Sequence, residues 1–323
     1  MKNILVLGIL TCDISMVGVS QYPSPGSAVP VEAVTMQCGG TAANSAMDIA
    51  KLGLPVTLCG RIGDDVFGDV VEVELCKYPK LKYALVRDPQ HNTTTSVLAI
   101  HNSGERGIFT SLGSTFRFHR ADIPRQFCEE ADIVFISGAL LLNAFEPEEE
   151  AAFLKEMQAD GKYTCMDTCY DTEEIWLPKI RPALPYLDLF MPSYLEAVRL
   201  TGKTDLDEIV DTLLEMGPKN IIIKLGAHGA YLCEQGLPRM IIPSYNYQEC
   251  VDTTGAGDSF CAGLLCGLSI GESLRDSVRL GNMTGATCIT KIGGQEGLKT
   301  LEETIALRNS TPVNPTVSAS DYS

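Results

Sequence analysis

At 323 residues, with 45% hydrophobic and 20% charged side chains, the chain has material for one large α/β core and is too apolar to be disordered over most of its length. The formal charge of −16, from 41 acidic against 25 basic residues without a basic cluster, argues against nucleic acid or anionic membrane as partners; an anionic ligand must then be met by metal ions, backbone N–H groups and a few lysines. No apolar run is as long as a membrane span, Met1-Lys2-Asn3 leads straight into a strand, and twelve scattered cysteines form no Cys-x-x-Cys pair, so a cytoplasmic protein with reduced thiols and no zinc site is expected.

Residues 3–10 are continuously apolar, as in a central parallel strand covered on both faces. Asp13 follows just past this run, where open α/β sheets bind ligands, although a turn role suits the position equally. From 14 to 37, Pro23, Pro25 and Pro30 punctuate loosely alternating segments, and a second such patch spans 92–111. Both read as exposed strands of a small sheet, with lid segments at about 12–37 and 90–111. Between them 41–52 is helical: Ala42, Ala43 and Ala46 allow close packing, Gly53 stops the helix, and Asn44 lies in its first turn beside Gly39 and Gly40. A strand at 56–59 and a second helix follow. From 131 the chain alternates, with strands at 132–136, 163–166, 187–191 and 220–225 and helices at 147–160, 173–181 and 194–217. Such alternation gives a parallel sheet with helices on both faces. Residues 1–310 therefore read as one domain, and 311–323, rich in Ser, Thr and Pro, as a flexible tail.

The stretch around which the rest is organised lies at 252–260, between an extended segment (239–251) and an apolar helical run (259–270). Gly255 and Gly257 let successive N–H groups converge on one point, and a helix starting there adds its unpaired first-turn N–H groups and the positive end of its dipole. That point suits an anion. Asp258 would repel phosphate if it merely lined the site, so its role is to take a proton from an attacking hydroxyl. The plain alternative makes Thr254 an ordinary N-cap and Asp258 a carboxylate complementing the dipole.

This stretch resembles the Asp-Thr-x-Gly-Ala-Gly-Asp-x-Phe signature of the PfkB (ribokinase-like) family of carbohydrate and nucleoside kinases, and Gly39-Gly40 with Asn44 resembles that family's second motif. The resemblance runs from about residue 3 to about residue 300. It implies a ribokinase-like three-layer α/β/α fold with a mostly parallel central sheet and a small β-sheet lid, and an ATP-dependent phosphotransferase. Asp258 is then the general base, with Gly255, Ala256 and Gly257 as the anion hole. Asp13, Gly39, Gly40 and Asn44 bind the substrate, and Lys224, Gly226, Gly229 and Asn282 the nucleotide. Glu196 and Asp167 hold magnesium, although Ser193 departs from the family's Asn-x-x-Glu pattern. Asp252 and Thr254, facing the 293–294 region, resemble a monovalent-cation site, so potassium is an expected activator. Pairing of two lids into a homodimer would cover their strand edges and apolar face.

Competing nucleotide folds lack their motifs, since there is neither Gly-x-x-x-x-Gly-Lys-Ser/Thr nor Gly-x-Gly-x-x-Gly after the first strand. A sugar- or nucleotide-binding regulator without turnover has only Ser193 in its favour. Sugar-acid kinases of the resembled family carry an Arg where this chain has Asp171, which points to a neutral ribose- or fructose-like sugar, though Arg106 in the lid turn could meet an acid. A nucleoside is the alternative, with Tyr22, Phe109 and Phe116 stacking a base.

Overall fold

The structure, a computed structural model, describes residues 1–101, 106–291, 293 and 295–319. Its strands in chain order are β1 (Ile4–Gly8), β2 (Thr11–Val19), β3 (Ala33–Gly39), β4 (Val56–Gly63), β5 (Leu81–Asp88), β6 (Thr95–His101), β7 (Arg106–Ser111), β8 (Ile133–Ser137), β9 (Tyr163–Met166), β10 (Leu189–Phe190), β11 (Asn220–Lys224), β12 (Ala230–Cys233) and β13 (Met240–Ile242). The helices are α1 (Thr41–Leu52), α2 (Val66–Leu75), α3 (Arg125–Glu130), α4 (Pro147–Ala159), α5 (Leu177–Ile180), α6 (Tyr194–Thr201), α7 (Leu206–Leu214), α8 (Ala256–Ile270), α9 (Leu274–Cys288) and α10 (Leu301–Ser310).

Alternate residues of β1 enter opposite cores, Ile4 and Val6 on one face and Leu5 and Leu7 on the other, which is why the run carries no polar residue. Its sheet has the order β13-β12-β11-β10-β9-β8-β1-β4-β5. It is parallel from β5 through β11 and ends in two antiparallel strands. Met47 of α1, Val71 of α2, Leu264 of α8 and Val278 of α9 fill the first core, while Phe153 of α4, Ala197 of α6 and Ile209 of α7 fill the second. The three-layer α/β/α arrangement expected from the sequence is therefore present. Among the described residues no helix is long and apolar enough to cross a membrane.

A separate sheet, β3-β2-β6-β7, forms from the two anticipated lid segments. Tyr22, Val34, Met36, Ile108 and Phe109 on these segments are exposed. The Gly104-Glu105 part of the lid turn lies outside the described residues.

Three segments depart from the sequence reading. The apolar run ends as a strand at Gly8, and Asp13 belongs to β2, so it stands at the root of the lid rather than in a loop beyond β1. The helix anticipated at 173–181 shrinks to Leu177–Ile180, because the Asp171 carboxylate gathers the N–H groups of Glu173, Ile175 and Trp176 into a turn. Of the tail, residues 311–319 are held in place. Val313 bridges Tyr245, and the N–H groups of Asn246 and Asn314 donate to Pro312 O and Ser244 O. Residues 320–323 lie outside the described part.

Candidate active site

The first turn of α8 differs from the starts of α2, α6, α7, α9 and α10. Asp65, Ser193, Asp205, Ser273 and Thr300 each cap their own helix by accepting a backbone N–H, whereas α8 begins at Gly255, in the left-handed region at φ 73°, with no side-chain cap. Its first-turn donors are left for another acceptor. Thr254 is not the cap, since its hydroxyl donates to Asp252 Oδ1 at 2.7 Å. That removes the N-cap half of the plain alternative, while Asp258 does stand in the first turn of α8. In this conformation the Ala256 N–H leans on Thr253 O at 3.2 Å, so an incoming anion competes with one carbonyl.

Helices α1 and α8 pack together, and α1 presents its polar side chains to that turn. Asn44 Nδ2 donates to Asp258 Oδ2 at 2.8 Å, and Ser45 Oγ donates to Asp258 O at 3.3 Å. One turn along α1, fully buried Asp48 accepts from Ser259 Oγ at 2.6 Å, while its Oδ1 has no hydrogen-bond partner. Burial holds the Asp48 carboxyl well above the usual range. Sequence reasoning missed Asp48. The available signal was its position one turn after Asn44, on the helix face that the alanines mark for close contact.

Asp258 has its pKa raised to about 7. Burial is the main cause, and the Asp167 and Glu196 carboxylates add to it, against the opposing pull of the Asn44 hydrogen bond and Lys224. A carboxylate poised near neutrality is suited to general-base work.

Asp13 receives the Thr11 hydroxyl at 2.7 Å, and burial raises its pKa. Gly39 faces it across the lid root: a Cβ at that position would come 2.0 Å from Asp13 Oδ2, so only glycine leaves the carboxylate its place. Gly40, at φ 94°, begins α1. Asp13, Gln37, Asn44, Thr254, Gly293 and Glu296 line a hollow of about 300 Å³, with Glu74 and Lys77 paired at 2.6 Å in its wall. Asp13 and Asn44 thus line one hollow, and Asn44 also touches Asp258.

A second hollow, of about 460 Å³, lies where a nucleotide was anticipated, and Ser193, Tyr194, Leu225, Gly226, His228 and Val317 are among its walls. Lys224 lines it too, with its Nζ 3.6 Å from where a Gly257 Cβ would stand. The 255–258 turn therefore sits between the two hollows. Gly226 opens onto free space, but Gly229 is required by the backbone, since a Cβ there would meet Ile242 O at 2.1 Å. Asn282 is buried in α9, and its amide donates to Ile242 O and Pro243 O, which fastens β13 to the helix and keeps it off the hollow's walls.

Lys224 Nζ also pairs with Asp167 Oδ1 at 2.6 Å in a nearly buried ion pair. Burial acts to lower the lysine, but Asp167 outweighs it and holds the ammonium above its ordinary range; burial pushes Asp167 up to about 6. Its Oδ1 also accepts the Thr168 N–H, and its Oδ2 accepts Cys261 Sγ–H. Glu196 closes a capping box with Ser193, and its Oε2 accepts the Ser193 N–H at 2.8 Å and the Thr168 hydroxyl at 2.9 Å. Among the described residues no group of three or more metal-ligating side chains exists. Magnesium is commonly held through one or two carboxylates, water and substrate phosphates. Asp252 accepts from Thr254 and, through Oδ2, from the Gly293 N–H at 3.0 Å; Gly294 is outside the described residues.

Two features used to argue for a substrate sit elsewhere. Asp171 is fully buried and paired with Lys179 at 2.7 Å, which with three backbone N–H groups outweighs burial and lowers its pKa. Its charge is consumed internally, so it does not repel an acidic substrate. Tyr22 and Phe109 meet edge-on at 6.1 Å, but Phe116 is buried, and among the described residues no ring contact joins it to them.

Comparison with known proteins agrees with this geometry. The sequence profile described as "pfkB family carbohydrate kinase" matches residues 1–301. A fructokinase of Escherichia coli is 29% identical over 82% of this chain and 90% of its own length, and the 2-dehydro-3-deoxygluconokinase of Bacillus subtilis is 26% identical over 82% and 84%. The Arabidopsis thaliana ribokinase solved with ribose and ATP superposes with a TM-score of 0.79 at 21% identity, covering 95% of this chain and 98% of that one. With a profile that extends from the first strand into the last helix, and sugar kinases among its full-length relatives, this chain belongs to the pfkB family and is a carbohydrate kinase.

Proposed function

We propose that this kinase moves the γ-phosphoryl group of ATP to a primary hydroxyl of a small neutral sugar, ribose- or fructose-like. The observation that carries this reading is the position of the uncapped α8 turn between two hollows, one reached by Lys224 and the other lined by Asp13 and Asn44. The sugar's hydroxyls bind Asp13 and Asn44. Asp258 accepts the proton of the attacking hydroxyl, and the N–H groups of Gly255, Ala256 and Gly257 meet the charge that builds on the transferring phosphoryl oxygens. Lys224 supplies positive charge beside them. Glu196 and Asp167 hold magnesium, which when bound neutralises phosphate charge. Lid closure excludes water that would otherwise take the phosphoryl group.

Neutrality of the sugar rests on the hollow itself. Its carboxylates are Asp13, Glu74 and Glu296, and its lysine, Lys77, is already paired with Glu74. Among the described side chains lining it no cation is spare, so an acid would add uncompensated charge there. The decisive experiment is ADP release on ribose, fructose and 2-dehydro-3-deoxygluconate beside adenosine, inosine and cytidine. A neutral sugar should lead in kcat/KM. A tenfold preference for any nucleoside, or any preference for the sugar acid, overturns the assignment. The exposed Val34, Met36, Ile108 and Phe109 support pairing of two lids into a homodimer, which a monomer in sedimentation at micromolar concentration refutes.

A further inference from the structure

The segment after α10 lies beyond the residues that match the family profile, yet it is bound along a defined path. Val313 pairs with Tyr245, two backbone hydrogen bonds flank that bridge, and Asn314 Nδ2 donates to Ala227 O at 3.1 Å. Ala227 is part of the Gly226–His228 turn, so the tail is tied directly to the loop that walls the larger hollow. Three residues on, Val317 becomes a wall of that hollow, and Ala319 packs against the second core. A disordered segment would cover nothing. This one carries an apolar side chain to one place and is pinned on both sides of it.

We infer that residues 311–319 form part of the nucleotide site and that Val317 makes an apolar contact with the nucleoside moiety of ATP. The inference rests on the nucleotide assignment made above. Lys224, beside the α8 turn, marks the phosphate end of the hollow. The remaining walls include Tyr194, Leu195, Leu225 and Val317, which is the chemistry of a base pocket and not of a phosphate cradle.

The test is calorimetric titration with ADP in the absence of sugar, on the full chain, on a chain ending at Ser310, and on Val317→Asn. Both variants should bind ADP about three- to tenfold more weakly, in line with lost apolar burial at one side chain. Affinity for inorganic tripolyphosphate, which has no base, should stay at the wild-type value. If the truncated chain does not fold, Val317→Asn alone decides. ADP affinity within twofold of wild type in Val317→Asn, or equal weakening toward tripolyphosphate, overturns the inference while leaving the nucleotide site in place. A wild-type chain that binds no ADP overturns both.

Discussion

Asn44→Leu removes one hydrogen bond from the proposed base while keeping the helix. The Asn44 amide donates to Asp258 Oδ2 at 2.8 Å, and it is the foremost influence holding that carboxyl's pKa down against burial. A hydrogen bond to a charged group contributes about 1.5–3 kcal/mol, and one pKa unit corresponds to ~1.4 kcal/mol, so its loss raises the pKa by roughly 1–2 units. Asp258 is half-buried, and its partial exposure favours the lower figure, about 1 unit. With the wild-type group near 7, about half of it is ionised at pH 7, against roughly a tenth in the variant. The active form is the carboxylate, so activity is lost as pH falls through the pKa, and the acid limb should move to higher pH. The assay is coupled ADP release from pH 5.5 to 9.5 at saturating sugar and Mg-ATP, read as kcat. About a fivefold deficit is expected at pH 7, closing near pH 9. A deficit of the same factor at every pH, or an unmoved acid limb, refutes the argument.

Asp258→Asn should lose kcat by on the order of 10² to 10⁴ while calorimetry still detects sugar, and a rate within a few-fold of wild type removes Asp258 from the base role. Gly39→Ala places a Cβ against the Asp13 carboxylate, so sugar KM should rise by at least about tenfold with ADP affinity intact; an unchanged sugar KM means Asp13 does not hold the substrate. Lys224→Met strands the buried Asp167 and should destabilise the fold by about 3–5 kcal/mol, seen as a lower Tm, and adding Asp167→Asn should restore much of it. Additive losses in that double variant mean the two groups do not form a pair in solution. Potassium should raise kcat over sodium at fixed ionic strength by ordering the 252–254 segment, and equal rates exclude the cation site.

What the sequence made legible is what short spacing encodes. The 252–260 turn, Gly39-Gly40 and Asn44 each lie within one strand-to-helix junction, where residue type and backbone geometry are read together, and the α1 boundaries follow from Gly40 and Gly53. The alternation after 131 likewise specified the sheet. What stayed hidden depends on partners far along the chain. Asp48 looks like a surface acid until Ser259, 211 residues away, is packed on it, and Lys224 reads as solvated until Asp167 faces it across 57 residues. Asp171 misled for the same reason, because its charge is met by Lys179 and by a local turn that helical periodicity does not announce. Ser, Thr and Pro in the tail suggested freedom, yet its order comes from backbone hydrogen bonds to the 244–246 segment that composition cannot see.

The acidic groups around the start of α8 also bear on how this enzyme can be engineered. The Asp167 and Glu196 carboxylates repel Asp258 in a setting that already disfavours charge. A neutral residue at position 258 relieves that repulsion without breaking an ion pair, so a selection for heat resistance without a selection for turnover should collect it, and collect inactive proteins with it. The same tension makes ligands effective stabilisers: each cation or donor that enters quiets the cluster, and resistance to proteolysis should climb with occupancy.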